Sequence, residues 1–215
     1  MMPALRVYER ALRVGSAQMI IEDGSSADFP ISNWTGVISE ADEELLRRCS
    51  GPTLDVGCGP GRLTAELNRR GQVALGIDVS PLAVAMTNAR GGTAMLRDVF
   101  TLVPGAGRWR DVVLADGNIG IGGHPVRLLR RCRSLLAPGG SVLVDLEPPG
   151  LTFWSGRVRL VVDETRSAWF PWSWVGVDDV AEVAAAAGLQ VREVWSEADR
   201  WQAELINDPQ RIHSS

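Results

Sequence analysis

A short apolar run, Thr53 to Val56, breaks into Gly-Cys-Gly-Pro-Gly and resumes as a helix-like pattern at Arg62 and Leu63. This stretch, TLDVGCGPGRL, constrains the fold more than any other. Glycines at a strand-to-helix junction let the backbone turn tightly and approach a ligand closely, while the free N–H groups of the following helix point at it. The spacing is GxGxG (Gly57, Gly59, Gly61), and Arg62 stands where the dinucleotide fingerprint GxGxxG places its third glycine, which weighs against a dinucleotide. Asp55 lies inside the strand, where burying a carboxylate is expensive without partners. A cationic amino-acid ligand or the turn's own N–H groups would supply them. Asp78, 17 residues beyond Gly61, ends the next apolar run at the spacing where a carboxylate accepts from ribose hydroxyls.

Around this turn, apolar runs alternate with helical periodicity, the mark of repeated strand–helix units and a parallel sheet. Thr53 to Val56 reads as a strand, Gly59 to Arg70 as a helix, and QVALGIDVS as a second strand. PLAVAMTNAR is a helix opened by Pro81 and stopped by Gly91-Gly92. TAMLRDV and DVVLAD are further strands, His124 to Leu136 a helix stopped by Pro138-Gly139-Gly140, and SVLVDLE a fifth strand. The rhythm then changes to period two across RVRLVVDETRSAWF, an inserted β-hairpin. A helix, VDDVAEVAAAAG, and the strands LQVREVW and RWQAELI follow. Upstream, Ser39 caps an acidic first turn and Arg47 and Arg48 end that helix. Residues 1–50 read as a helical cap of the same domain, in which Leu5, Tyr8 and Leu12 share a face and EDGSSADFP is a loop. Residues 51–206 form the main domain and 207–215 a frayed polar tail.

Taken together, LDVGCGPGRLT, GIDVS with PLAVAMTNAR, LRDVF and LLAPGGSVLVDLE resemble the class I S-adenosylmethionine-dependent methyltransferases, over roughly Gly51 to Glu147 and more loosely beyond. The whole chain also looks like small actinobacterial members with unassigned acceptors. The resemblance implies a Rossmann-like α/β fold: a seven-stranded, mostly parallel sheet with helices on both faces and an antiparallel last strand. It implies that Asp55, Gly57, Gly59 and Gly61 hold the methionine end of S-adenosylmethionine, with S-adenosylhomocysteine as product. Asp78 and Val79 would meet the ribose, and Asp98 and Val99 the adenine.

Sites on parallel sheets lie beyond the carboxyl ends of the strands, which brings ADGNIGIGG and PPGLTFWSG to the methyl group. Asp116 is a candidate for cofactor contact and catalysis, and Asn118 for acceptor binding. His124 is a second candidate base, the other histidine, His213, falling in the tail. Trp34, Trp154 and Trp172 are candidate acceptor-binding residues, drawn from an aromatic-rich region after the fifth strand and a lid-like N-terminal segment. Cys58 reads as a small filler.

Composition removes most competing chemistries. All 22 basic residues are arginine, so Schiff-base chemistry, the GKS/GKT phosphate loop and the TyrxxxLys pair of short-chain dehydrogenases are absent. Asp-Gly-Asn departs from the Asn/Asp-Pro-Pro-aromatic signature of base-methylating enzymes, and a net charge of -4 gives no global pull toward nucleic acid. Three dispersed cysteines argue against a disulfide framework or zinc site, and MMPALRVYER lacks the apolar core of a secretory signal. The expectation is a cytoplasmic enzyme, monomer or homodimer, methylating a small molecule without metal, membrane or nucleic acid, oxygen slightly favoured over nitrogen. The alternatives are a non-catalytic S-adenosylmethionine-binding subunit and, less favoured, a nicotinamide oxidoreductase.

Overall fold

The computed structural model describes residues 2–29 and 31–207. The expected tail lies outside them except for Asn207, which pairs with Leu189 across the last two strands.

Five strands, β3 (Thr53–Val56), β4 (Ala74–Asp78), β5 (Ala94–Leu96), β6 (Trp109–Leu114) and β7 (Leu136–Leu146), join β11 (Leu189–Glu197) and β12 (Arg200–Asn207) in one sheet ordered β11-β12-β7-β6-β3-β4-β5. The β3, β4, β5, β6 and β7 neighbours pair in parallel. The last strand, β12, inserts antiparallel between β11 and β7, as expected. Alternation along the strands sorts the core. Leu54, Val112, Leu114, Val142 and Val144 face α6 (Pro125–Leu135) and α7 (Val180–Ala187). Val113 and Leu143 face α3 (Glu40–Arg48) and α4 (Arg62–Arg69) on the other side. Strands covered on both faces are near-continuously apolar. A buried acid in such a strand therefore needs a stated partner.

Asp111 shows the structural version of that rule at the amino-terminal edge: its carboxylate accepts from Ser50 N (2.7 Å), Gly51 N (3.2 Å) and the Ser141 hydroxyl (3.1 Å). The Ser39 cap forms with Asp42 as its reciprocal partner. The arginines of α6 are fastened to protein carbonyls. Arg130 donates to Ala186 O, Arg133 to Ala187 O and Gly188 O, and Arg131 to Val99 O and Thr101 O. The first two thus satisfy orphan carbonyls at the end of α7.

Some boundaries shift for local reasons. The helix after the glycine turn begins at Arg62 rather than Gly59, because Gly59 and Gly61 take left-handed φ of 53° and 82°. β7 starts at Leu136, before Pro138-Gly139-Gly140, and a register shift against β6 absorbs the irregular residues. α7 is shorter at its start than VDDVAEVAAAAG suggests.

The largest correction concerns the N-terminal segment. It holds α1 (Ala4–Val14) and α2 (Ile31–Thr35), but also a hairpin of β1 (Ala17–Ile21) and β2 (Ser26–Phe29), the latter within the stretch read as a loop. Its partner comes from far along the chain. The inserted hairpin, β8 (Trp154–Val162) with β9 (Thr165–Arg166) and β10 (Phe170–Trp174), pairs through β8 with β1, giving a second sheet ordered β10-β8-β1-β2. Its inner face (Met19, Val158, Leu160, Val162) packs with Val7, Ala11 and Leu12 of α1 and Ala83 of α5 (Pro81–Ala89).

A candidate cofactor and acceptor cavity

A cavity of about 370 Å³ lies beyond the carboxyl ends of β3, β4, β5 and β6, roofed by the N-terminal segment and the second sheet. That is within the range of about 300–1,000 Å³ usual for small-molecule sites. Asp55, Gly57, Gly59, Asp78, Val79, Asp98, Val99, Asp116, Asn118, Trp34 and Trp172 line it, so the structure brings eleven of the sequence-derived residues together. Gly61, His124 and Trp154 are not among the lining residues. Gly61 sits one turn back as the N-cap of α4, against Thr87. His124 is exposed at the start of α6, and Trp154 meets Trp174 in a tilted ring contact, centroids 4.5 Å apart, against the second core.

On the floor, Asp55 is 2% exposed and accepts from the Thr64 hydroxyl at 2.7 Å. Burial raises its pKa to about 6, the Thr64 bond offsetting only part of that. Asp78 accepts from Gly59 N (3.0 Å) and Ser80 N (2.8 Å), which ties the glycine turn to the end of β4. Burial outweighs those N–H groups and raises this carboxyl too. Asp98 accepts from Phe100 N through one oxygen (2.9 Å). Asn118 donates to Val56 O and Gly57 O, both at 3.0 Å, cross-linking the loop after β6 to the turn. Cys58 is buried, and burial raises its thiol pKa, so it is an inert filler.

Sequence reasoning missed a buried ion network beneath this floor. Arg62, the residue that interrupts the dinucleotide fingerprint, is 5% exposed. Its Nε and Nη2 donate to Asp42 (2.8 and 2.5 Å), Nη1 and Nη2 to Asp116 (3.0 and 3.3 Å), and Nη1 to Asn33 O (3.1 Å). A guanidinium has five N–H donors, and all are used. Arg200 joins Asp42 (2.8 Å), Asp116 (3.0 Å) and Asp145. Asp145 also accepts from Asp116 N (2.6 Å) and Gln202 (2.8 Å). Burial alone would raise Asp42, but the Arg62 bonds and the Arg200 charge hold it below its usual value. Asp116, at φ 53°, has its carboxylate taken up by guanidinium N–H groups. Asp145 carried a readable signal, an acid inside SVLVDLE like Asp55 inside TLDV. Asp42 and Arg200 carried none, being brought in by the tertiary fold.

The roof adds Ala4, Leu5 and Tyr8 from α1, Phe29 from β2, and Leu160, Phe170 and Pro171 from the second sheet. Burial, with Asp78 adding to it, raises the Tyr8 hydroxyl well above its ordinary pKa, so it stays a neutral O–H. The segment Asn118–Gly123, two 3₁₀ turns parted by a kink at Ile121 and Gly122, spaces β10 from the floor. A Cβ at Gly120 would lie 2.2 Å from Ser173 O and 2.7 Å from the Trp172 ring. Gly120→Ala is therefore expected to push β10 outward and cost about 1–3 kcal/mol by overpacking. Urea denaturation measures this, and an unchanged midpoint would contradict the close contact.

A family model for a methyltransferase domain matches residues 53–140. Among curated proteins, a ubiquinone biosynthesis O-methyltransferase of Cereibacter sphaeroides is 30% identical over 150 residues, covering 63% of this chain and 59% of that protein. The chain thus spans about three fifths of the length of the curated relatives it matches. Among solved structures, a SAM-dependent methyltransferase from Bacteroides fragilis in complex with S-adenosyl-L-homocysteine has a TM-score of 0.75 at 20% identity, covering 95% of this chain and 94% of that one. Burkholderia thailandensis 1,6-didemethyltoxoflavin-N1-methyltransferase has a TM-score of 0.60 at 18% identity, covering 81% and 80%. At such identities the likeness speaks for the fold.

Proposed function

We propose that this chain, which belongs to the class I S-adenosylmethionine-dependent methyltransferases, transfers the methyl group of S-adenosylmethionine to a small-molecule acceptor. One observation carries the reading: two buried carboxylates, Asp55 and Asp78, line a cavity at the carboxyl edge of the sheet beside a glycine turn. Each carboxylate offers about four acceptor sites, and the protein fills one of them on Asp55 and two on Asp78 among the hydrogen bonds described. That donor-poor, acid-rich floor fits a cationic ligand bearing a ribose diol. Asp55 and the turn of Gly57 and Gly59, with Gly61 shaping that turn from behind as the cap of α4, hold the methionine end, Asp78 and Val79 the ribose, and Asp98 with the Val99 N–H the adenine.

When bound, the cofactor supplies an activated methyl group on a sulfonium. The chain's contribution is alignment and exclusion of water, which demand no catalytic base. Asp116 serves by fixing Arg62 and Arg200 beneath the site; His124 stands outside the cavity lining, and Tyr8 keeps its proton. An acceptor's proton therefore leaves to solvent as the methylated product departs from the site. Oxygen remains slightly favoured over nitrogen as the acceptor atom, since the curated relatives are O-methyltransferases, although the Burkholderia thailandensis structural neighbour is an N1-methyltransferase. Three free, buried cysteines support a reducing, cytoplasmic setting. No helix among the described residues is long and apolar enough to cross a membrane.

The test is incubation with methyl-labelled S-adenosylmethionine and size-fractionated extract of the source organism. Label in the small-molecule fraction supports the reading. Label in protein or nucleic acid overturns the acceptor class, and cofactor binding without transfer to any fraction favours a binding subunit.

A further inference from the structure

The charges lining the cavity are segregated. Every charged lining residue (Asp55, Arg62, Asp78, Arg97, Asp98, Asp116) comes from the main sheet, the turns that follow its strands and the first residue of α4. Every lining residue from the N-terminal segment and the second sheet is uncharged, and five are aromatic: Tyr8, Phe29, Trp34, Phe170 and Trp172. They touch one another in two groups. Phe29 meets Trp34 edge-on at 4.6 Å with Tyr8 at 6.3 Å from Trp34, and Phe170 meets Trp172 edge-on at 6.2 Å. Cations are plentiful on these same elements but are not in the lining. Arg6, Arg10 and Arg13 of α1 and Arg157 and Arg159 of β8 are absent from it. Two guanidiniums are in the lining: Arg62 has its five N–H donors already spent on Asp42, Asp116 and Asn33, and Arg97, which donates to Leu96 O, stands just past β5 beside Asp98, on the floor and not on the roof.

We infer that the acceptor is a flat, uncharged aromatic or heteroaromatic molecule, recognised through its ring faces by this aromatic roof. The inference rests on the methyltransferase reading, which assigns the acid-bearing floor to the cofactor and leaves the roof to the acceptor. A phosphorylated or carboxylated acceptor would meet no unspent guanidinium on the roof and would face the carboxylates of the floor. A permanently cationic acceptor would meet the sulfonium, which occupies the same field. An aliphatic polyol would leave its hydroxyls against aromatic carbon, whereas a ring gains stacking and edge contacts with electron-rich faces.

The experiment is ligand-observed saturation-transfer NMR on the full chain saturated with S-adenosylhomocysteine, calorimetry having first established that saturation. The probes are phenol, indole and quinoline against cyclohexanol, phenyl phosphate and tetramethylammonium. The neutral aromatics are expected to bind and the other three to be at least several-fold weaker. Trp172→Leu, which keeps apolar bulk, is expected to weaken indole about tenfold, while Trp172→Phe, which keeps a ring, retains most of the binding. Thermal denaturation confirms that each variant is folded, and Trp195→Leu, on β11 beneath Arg48 and outside the cavity lining, controls for loss of any tryptophan. Equal or better binding of phenyl phosphate, tetramethylammonium or cyclohexanol overturns the inference, as does indole binding indifferent to Trp172→Leu. Absence of S-adenosylhomocysteine binding instead overturns the cofactor reading, and this inference with it.

Discussion

Replacing Arg62 by methionine is expected to cost the fold about 3–5 kcal/mol, the range for removing one partner of a buried ion pair. The side chain is 4% exposed and its departure strips donors from Asp42, whose side chain is 2% exposed, and from Asp116. Arg200 alone would then face Asp42, Asp116 and Asp145. Set against a typical total of about 5–15 kcal/mol, that loss is a large share of the whole. For a chain of this size it lowers Tm by roughly 6–20 °C. Arg62→Lys should recover only part of it, because an ammonium keeps the charge but lacks the fork that binds Asp42 bidentately. The Asn33 carbonyl is released as well, and with it the α2 segment that carries Trp34 to the cavity. Urea denaturation at pH 7.5 measures the cost. A loss below about 1 kcal/mol would place the network in the class of exposed pairs.

Asp55→Asn should move stability and function in opposite directions. The carboxyl has a pKa of about 6 in the fold, against roughly 3.9 when unfolded. With the folded value raised, the contribution to stability is fully present below about pH 4 and is lost as pH rises through about 6. At pH 7.5 the unliganded protein thus carries an ionised, buried carboxylate, a cost on the order of 3 kcal/mol. Asparagine cannot ionise and its amide oxygen still accepts from Thr64, so the variant is expected to gain about 1–3 kcal/mol at pH 7.5 and to match the parent near pH 4. The same change removes the negative charge offered to a cationic ligand. S-adenosylmethionine affinity should fall by at least about tenfold, a loss of 1.4 kcal/mol or more. Wild-type affinity should rise with pH through about 6 as Asp55 ionises. A variant no more stable than the parent at pH 7.5, or one binding the cofactor as well, would remove Asp55 from this role.

Much of the main sheet was legible because its signals are local. An apolar run of four, a glycine turn and an acid at the next strand end can each be read within a few residues, and their order gives the topology. The second sheet was only half legible. Its insertion announces itself by alternation, but β2 spans four residues between turns and is a strand only because β1, itself held by β8 on its other edge, pairs with it. The site divides the same way. Asp55 inside β3, Asp78 at the end of β4 and Asp98 just past β5 all sit on motifs, and the structure gathers them. Tyr8 reads simply as one residue on an amphipathic helix face, and nothing in its neighbours announces the cavity. Asp42, Arg62 and Arg200 are joined across 20 and 158 positions of sequence, a distance at which charge pairing leaves no pattern. His124 and Trp154 illustrate the converse: plausible chemistry in the right stretch of chain, placed by α6 and the second core away from the cavity lining.

The most direct test of the central claim, that the acid-bearing floor is a cofactor site, is calorimetric titration of S-adenosylhomocysteine into the wild-type protein and Asp78→Ala, with NADH as the competing ligand. Asp78 offers the ribose contact while leaving the Arg62 network untouched. One site per chain is expected on the wild type, with at least about tenfold weaker binding to the folded variant and no NADH binding to either. Tight NADH binding without S-adenosylhomocysteine binding, or equal S-adenosylhomocysteine affinity in the two proteins, would contradict that claim.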